Sequence, residues 1–115
     1  MKIYHNPRCK KSRETLKILL DNNTEVHIIE YLKKPLTKDE LKNILKSLNI
    51  SAKNLVRKGE KIFKDLYKGK DLSEEEYINI LCLHPILIER PIVVKDNCAV
   101  LGRPPINVLA LLDKK

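Results

Sequence analysis

The chain has 115 residues, 43% of them hydrophobic, enough to build one core without disulfide or metal staples. Its 23 Lys and Arg against 15 Asp and Glu leave a net charge of +8, which implies an anionic partner: nucleic acid, membrane surface, phosphate-like oxyanion or another protein. No run approaches the ~18 apolar residues of a membrane span, the first residues carry no apolar signal-peptide stretch, and no repeat or low-complexity tract occurs, so a cytoplasmic protein is expected.

Residues 2–4 suit a short strand, broken by Asn6-Pro7. "SRETLKILLDNN" reads as a helix with Ser12 as N-cap, a Leu16/Leu19/Leu20 stripe and an end at Asn22-Asn23. "EVHIIEYL" supplies a β-branched strand at 25–30, which completes a βαβ unit with parallel strands. "TKDELKNILKSLN" is a helix opened by a Thr37/Glu40 capping box, with its stripe at Leu41, Ile44, Leu45 and Leu48. "SAKNLV" and "KIFKDLY" read as short helices, and "SEEEYINILCLH" as another with a Ser73/Glu76 box, limited by Pro85. Strands at about 92–95 and 98–101, joined by Asp96-Asn97, form an antiparallel hairpin, and "PINVLALLD" closes the chain as a helix. The order is βαβ, a helical insertion at about 37–84, then ββα. It predicts a single α/β domain over 1–115 with a four-stranded mixed sheet, the thioredoxin-like topology.

The three cysteines, Cys9, Cys82 and Cys98, lie far apart, and no CxxC exists for zinc or a local disulfide. Cys82 and Cys98 sit among apolar residues and read as small hydrophobes. Cys9 differs. It falls between the first strand and the first helix, with His5, Arg8, Lys10 and Lys11 around it. Ligands of open α/β sheets bind at that strand end, and a helix N-terminus with its free N–H groups holds an anion. Lowering a thiol pKa from ~8.5 by about two units raises the thiolate fraction at pH 7 from ~3% to ~75%, for about 2.7 kcal/mol of differential stabilisation. A helix end and one or two cations can supply that. His5, four residues ahead, either favours ionisation of the thiol or caps the loop.

"IYHNPRCKKSRETL" resembles the active-site segment of the glutaredoxin-dependent arsenate reductases, Tyr-His-Asn-Pro-x-Cys-x-x-Ser-Arg-x-Thr-Leu. "IIEYLKKPLTKDEL", "SAKNLVRKGE", "HPILIERPIVV" and "AVLGRPP" resemble further segments of that family, in the same order along nearly the whole chain. The resemblance implies that Cys9 is the nucleophile, that His5 helps lower its pKa, and that Ser12 hydrogen-bonds within the active-site loop. It implies that Arg57, Arg90 and Arg103 bind the oxyanion and that Pro91 is the cis proline beside the site. It also implies arsenate as substrate, a covalent Cys9–arsenic intermediate, glutathione as co-substrate and glutaredoxin as reductant, with no bound cofactor and no metal. The family's loop is commonly Cys-Gly-Thr-Ser, whereas this chain has Cys9-Lys10-Lys11-Ser12.

Two other readings compete. One keeps the fold with a different thiol substrate. The other is a thiol-stress regulator that binds RNA polymerase; its switch is a CxxC, and CKKS cannot form that disulfide. Direct nucleic-acid binding is not expected with four Tyr, one Phe and no dense basic helix stripe. Nothing requires a membrane or more than a monomer.

Overall fold

The computed structural model describes residues 1–112. They fall in two compact units, one of Met1–Lys34 with the stretch from Arg90 onward, the other Pro35–Glu89.

The first unit is built on a four-stranded mixed sheet of order β2-β1-β3-β4. Its strands are β1 (Lys2–Tyr4), β2 (His27–Ile29), β3 (Ile92–Lys95) and β4 (Cys98–Leu101). β1 runs parallel to β2 and antiparallel to β3, with Tyr4 opposite both Ile29 and Ile92. β3 and β4 form the expected antiparallel hairpin, and Asp96 in its turn takes φ +54°. The C-terminal end of β1, the N-terminal end of β3 and the C-terminal end of β4 therefore share one end of the sheet. Helix α1 (Lys10–Asp21) packs Leu19 against Ile3, Val93, Val108 and Leu111, the last on α5 (Leu109–Leu112). This core drives the unit's folding, since each of those side chains is at most 1% exposed.

The expected first helix begins earlier than its serine suggests. Cys9, with φ −91° and ψ 122°, is the N-cap, and its carbonyl accepts the Arg13 N–H at 3.0 Å. Ser12 lies inside the first turn and is fully buried. Its hydroxyl turns back to Asn6 and His5, so it does not cap the helix. The helix ends where expected: Asn22 donates to the Ile18 carbonyl, and Asn23 enters the left-handed region. β2 is shorter than the expected 25–30, because β1 offers a partner only three residues long. The Glu30 carbonyl then accepts the Lys33 and Lys34 N–H groups in a turn. The closing helix starts as a 3-10 turn, Pro105–Val108, before α5; Asp113, the end expected for it, lies outside the described residues.

The second unit holds α2 (Lys38–Leu48), α3 (Lys61–Leu66) and α4 (Glu74–Leu83), with 3-10 turns at Ala52–Leu55 and Pro85–Leu87. Both capping boxes form, Thr37 with Glu40 and Ser73 with Glu76. Leu41, Ile44 and Leu45 are buried as the stripe requires. "SAKNLV" forms a 3-10 turn, not an α-helix. An isolated antiparallel bridge, Val56 to Ile88, joins the segment before Arg57 to the segment before Glu89.

Leu19→Ala should lower unfolding stability by about 2–5 kcal/mol in urea titrations. Leu20→Ala, on the exposed face one residue on, should change it by less than ~0.5 kcal/mol.

Candidate active site

The loop between β1 and α1 is fastened at almost every residue. The His5 N–H donates to the Ile29 carbonyl at 2.8 Å, which extends the β1–β2 pairing. Asn6 is buried, its Oδ1 accepts the Arg8 N–H at 3.0 Å, and its carbonyl accepts the Cys9 N–H. Ser12 Oγ accepts the Asn6 N–H at 3.1 Å and lies 2.6 Å from His5 Nδ1. Arg13 Nη1 donates to the Pro7 carbonyl at 2.9 Å. Local polar groups thus leave the four-residue loop little freedom, and it delivers Cys9 to the helix N-terminus.

The sulfur is partly exposed. Partial burial pushes its pKa up. Against that act the Ser12 N–H, the Arg90 guanidinium through a hydrogen bond and its charge, and the Lys11 N–H; the balance leaves the thiol below its ordinary value. Cys9 is the N-cap residue with no side-chain cap hydrogen bond, and Ser12 and Lys11, whose N–H groups favour its thiolate, are N3 and N2 of the helix. Cys82, on α4, goes the other way: burial raises its pKa. None of the three cysteines is in a disulfide.

His5 is buried and lies against Ser12, and it is not among the groups that lower the Cys9 pKa. Burial lowers its own pKa, opposed by Glu30 and reinforced by Arg13, so the ring is neutral near pH 7. What it does in this arrangement is hold Ser12, whose backbone N–H faces the sulfur.

Arg90 and Arg103 come from the two ends of the hairpin. The register pairs Ile92 with Leu101, and the Gly102 N–H continues it to the Pro91 carbonyl at 2.9 Å. Arg90 and Arg103 are the next opposed positions, at the sheet end that carries the Cys9 loop. Both Arg90–Pro91 and Arg103–Pro104 are cis peptides, the second one not anticipated from the sequence. Arg90 lowers the Cys9 pKa, and its buried Nε and Nη1 have no hydrogen-bond partner among the described residues. Those donors suit a bound oxyanion, which accepts a planar guanidinium fork. Asn107 Nδ2 fixes the Arg103 backbone by donating to its carbonyl at 3.2 Å. Arg57 belongs to the other unit. There its Nε lies 3.3 Å from Glu60 Oε1 and its Nη1 3.8 Å from Glu89 Oε2.

Two residues escaped the sequence reading. Thr15 is fully buried on α1, donates to the Lys11 carbonyl at 2.8 Å and lies 3.5 Å from the Gly102 carbonyl oxygen. A Cβ on Gly102 would meet Thr15 Oγ1 at 2.5 Å and Pro91 Cγ at 2.7 Å. Glycine is needed there for close approach, which brings the hairpin end against the helix that carries Cys9. The buried threonine was visible in the sequence, but its partner 87 residues away was not.

Among the described residues no group of three or more His, Cys, Asp or Glu is placed to hold a metal. No described helix is long and apolar enough to cross a membrane.

A mixed four-stranded sheet with a cysteine at the N-terminus of the first helix, its pKa lowered by a guanidinium from the hairpin, defines a thioredoxin-like protein. Comparison with known proteins makes the assignment specific. The ArsC family profile matches residues 4–111, and the chain belongs to the ArsC family. It is 45% identical over 114 residues to the uncharacterized protein YfgD of Escherichia coli K12, covering 97% of this chain and 96% of that one. It is 40% identical over 111 residues to the arsenate reductase of the same strain, covering 96% of this chain and 79% of that one. The solved structure of an arsenate reductase from Vibrio cholerae superposes with a TM-score of 0.91 at 39% identity, covering 96% of this chain and 97% of that one.

Arg90→Ala should raise the Cys9 pKa, seen as slower iodoacetamide alkylation at pH 7 and a midpoint moved to higher pH. His5 gives a second pH signature. The folded ring binds its proton less readily than the unfolded one, whose value is near 6.5. The unfolded state therefore holds more protons below that pH, and stability falls as pH drops from 6.5 toward the lower folded value. Urea titrations between pH 7 and 5 should show this slope, reduced in His5→Asn.

Proposed function

We propose that this chain is an arsenate reductase that takes its reducing equivalents from glutathione and glutaredoxin. The observation that carries the reading is Cys9 at a helix N-terminus, its pKa lowered by an Arg90 guanidinium whose buried Nε and Nη1 have no hydrogen-bond partner among the described residues. The names of the relatives supply the substrate: proteins 40% and 41% identical over 96% of this chain are called arsenate reductases.

In the proposed reaction, arsenate approaches with its oxygens toward Arg90 and Arg103. Their charge offsets the repulsion between a thiolate and an anion. The Cys9 thiolate attacks arsenic, an S–As bond forms, and one arsenate oxygen leaves as water after taking up protons. Glutathione then adds its thiol at arsenic: a second S–As bond forms, and a second arsenate oxygen leaves as water, taking the thiol's proton and one from solvent. Two electrons pass from the thiols to arsenic, which goes from pentavalent to trivalent and leaves as arsenite, while the thiols end as a disulfide. Glutaredoxin resolves that disulfide. One cysteine in the chain is enough because the other sulfurs come from outside, and Ser12 stands where a second cysteine would otherwise be. No bound cofactor is needed, and the proposed setting is the cytoplasm, with the chain acting as a monomer.

Among the arginines, Arg90 has the larger role in this proposal. Arg57 also keeps the oxyanion-binding role expected from the resemblance, but Glu60 and Glu89 already match its charge. Arg57→Ala should therefore lower kcat/KM less than Arg90→Ala, for which a loss of about 10²–10³ is expected.

Arsenate-dependent NADPH oxidation, coupled through glutathione reductase with glutathione and glutaredoxin present, tests the reading. Wild-type protein should turn over, and Cys9→Ser should reduce the rate to background. Full activity in Cys9→Ser would sink the mechanism.

A further inference from the structure

Helices α2 and α4 open with acidic residues, Asp39 and Glu40 in one and Glu74, Glu75 and Glu76 in the other. That is the sign a helix dipole favours at its positive end. Helix α3 opens on Lys61 with no acid in its first turn, and helix α1 goes further. Its first turn carries Lys10 and Lys11 and no acid, and residues 8–13 hold four cations with no carboxylate. Two ammonium groups at the positive end of a helix destabilise it. A sequence that breaks a local rule at the same turn as its reactive sulfur calls for a functional reason.

The reason is not the ionisation of the sulfur. The groups that lower the Cys9 pKa are the Ser12 and Lys11 backbone N–H groups and Arg90, and the lysine ammonium groups are not among them. Nor is it packing. Lys10 is 83% exposed at its side chain, with Nζ 3.9 Å from Glu14 Oε1, and Lys11 is exposed. Arg13, the next cation, is tied to the Pro7 carbonyl. Lys10 and Lys11 thus stand exposed at the two helix positions that follow Cys9, itself partly exposed, where their charge acts on what arrives.

We infer that Lys10 and Lys11 are specificity-determining residues that draw small anionic reactants, in preference to neutral ones, to the Cys9 sulfur. The inference deepens the reading of Cys9 as the reacting thiol and rests on it. For a tetrahedral oxyanion the lysines raise its local concentration before Arg90 takes hold. For a thiol that carries carboxylates they favour its approach over that of an uncharged thiol. Screening limits the effect at high ionic strength, since both charges face water.

Alkylation separates this from the arsenate question. Iodoacetate and iodoacetamide react with a thiolate by the same displacement: an S–C bond forms, the C–I bond breaks and iodide leaves. They differ by one negative charge. Rates are read at Cys9 by peptide mass spectrometry, so Cys82 and Cys98 do not interfere. In Lys10→Gln/Lys11→Gln the ratio of iodoacetate to iodoacetamide rates should fall about 3- to 10-fold at ~10 mM salt. The iodoacetamide rate and its pH midpoint should stay unchanged. Lys10→Glu/Lys11→Glu should lower the ratio further, and wild-type protein should lose most of its preference at ~500 mM salt, a control that needs no variant.

A ratio unaltered in both variants, or insensitive to salt in the wild type, overturns the inference. So does a shift of the iodoacetamide midpoint large enough to account for the change, because the lysines would then act on the sulfur. If the ratio behaves as expected while wild-type protein shows no arsenate turnover, recruitment of anions stands and the arsenate reading fails. Within turnover, KM for arsenate should rise in the Gln pair with kcat nearly unchanged.

Discussion

A thiolate needs positive potential and hydrogen-bond donors, but burial opposes its charge, and this tension organises the first unit of the structure. Cys9 resolves it by standing where a helix normally has a serine or aspartate cap. The first-turn N–H groups are there in any helix. Directing them at a sulfur requires that the residue best suited to capping, Ser12, be placed elsewhere. It is moved into the first turn, buried, and held by His5 and Asn6. The fastening of the loop, the neutrality of His5 and the position of the helix start all follow from this exchange.

The hairpin supplies the other half of the site. Arg90 reaches the sulfur because β3 begins at the sheet end where β1 stops, a consequence of the antiparallel pairing of Tyr4 with Ile92. The spacing between helix and hairpin is set by Gly102 against Thr15 and Pro91. No side chain fits in that seam, so the guanidinium that faces Cys9 is carried on a backbone with little room to recede.

Much of this was legible in the sequence where the signal is local. The capping boxes at Thr37/Glu40 and Ser73/Glu76 each need four consecutive residues, and both form as read. The Asp96-Asn97 turn and the β-branched strands fix the hairpin in the same way. Reasoning from local preference failed at Ser12, because a serine ahead of an apolar stripe is ordinarily a cap and here the cysteine has that duty. It could not find the Thr15–Gly102 contact or the Glu89 carboxylate on Arg57, since those depend on chain segments brought together by the fold. The shortening of β2 has a similar origin, for a strand's length is limited by its partner.

Because Cys9 is the N-cap residue of α1 and the first-turn N–H groups favour its thiolate, its chemistry and the integrity of that helix are linked. Ionisation in the folded state strengthens the first turn, and a group whose folded pKa is depressed adds stability that grows as pH rises through its titration. A covalent adduct on Cys9 removes that anion and leaves the Ser12 and Lys11 N–H groups without it. The free thiolate therefore holds the first turn of α1 more firmly than any form in which Cys9 carries a covalent group.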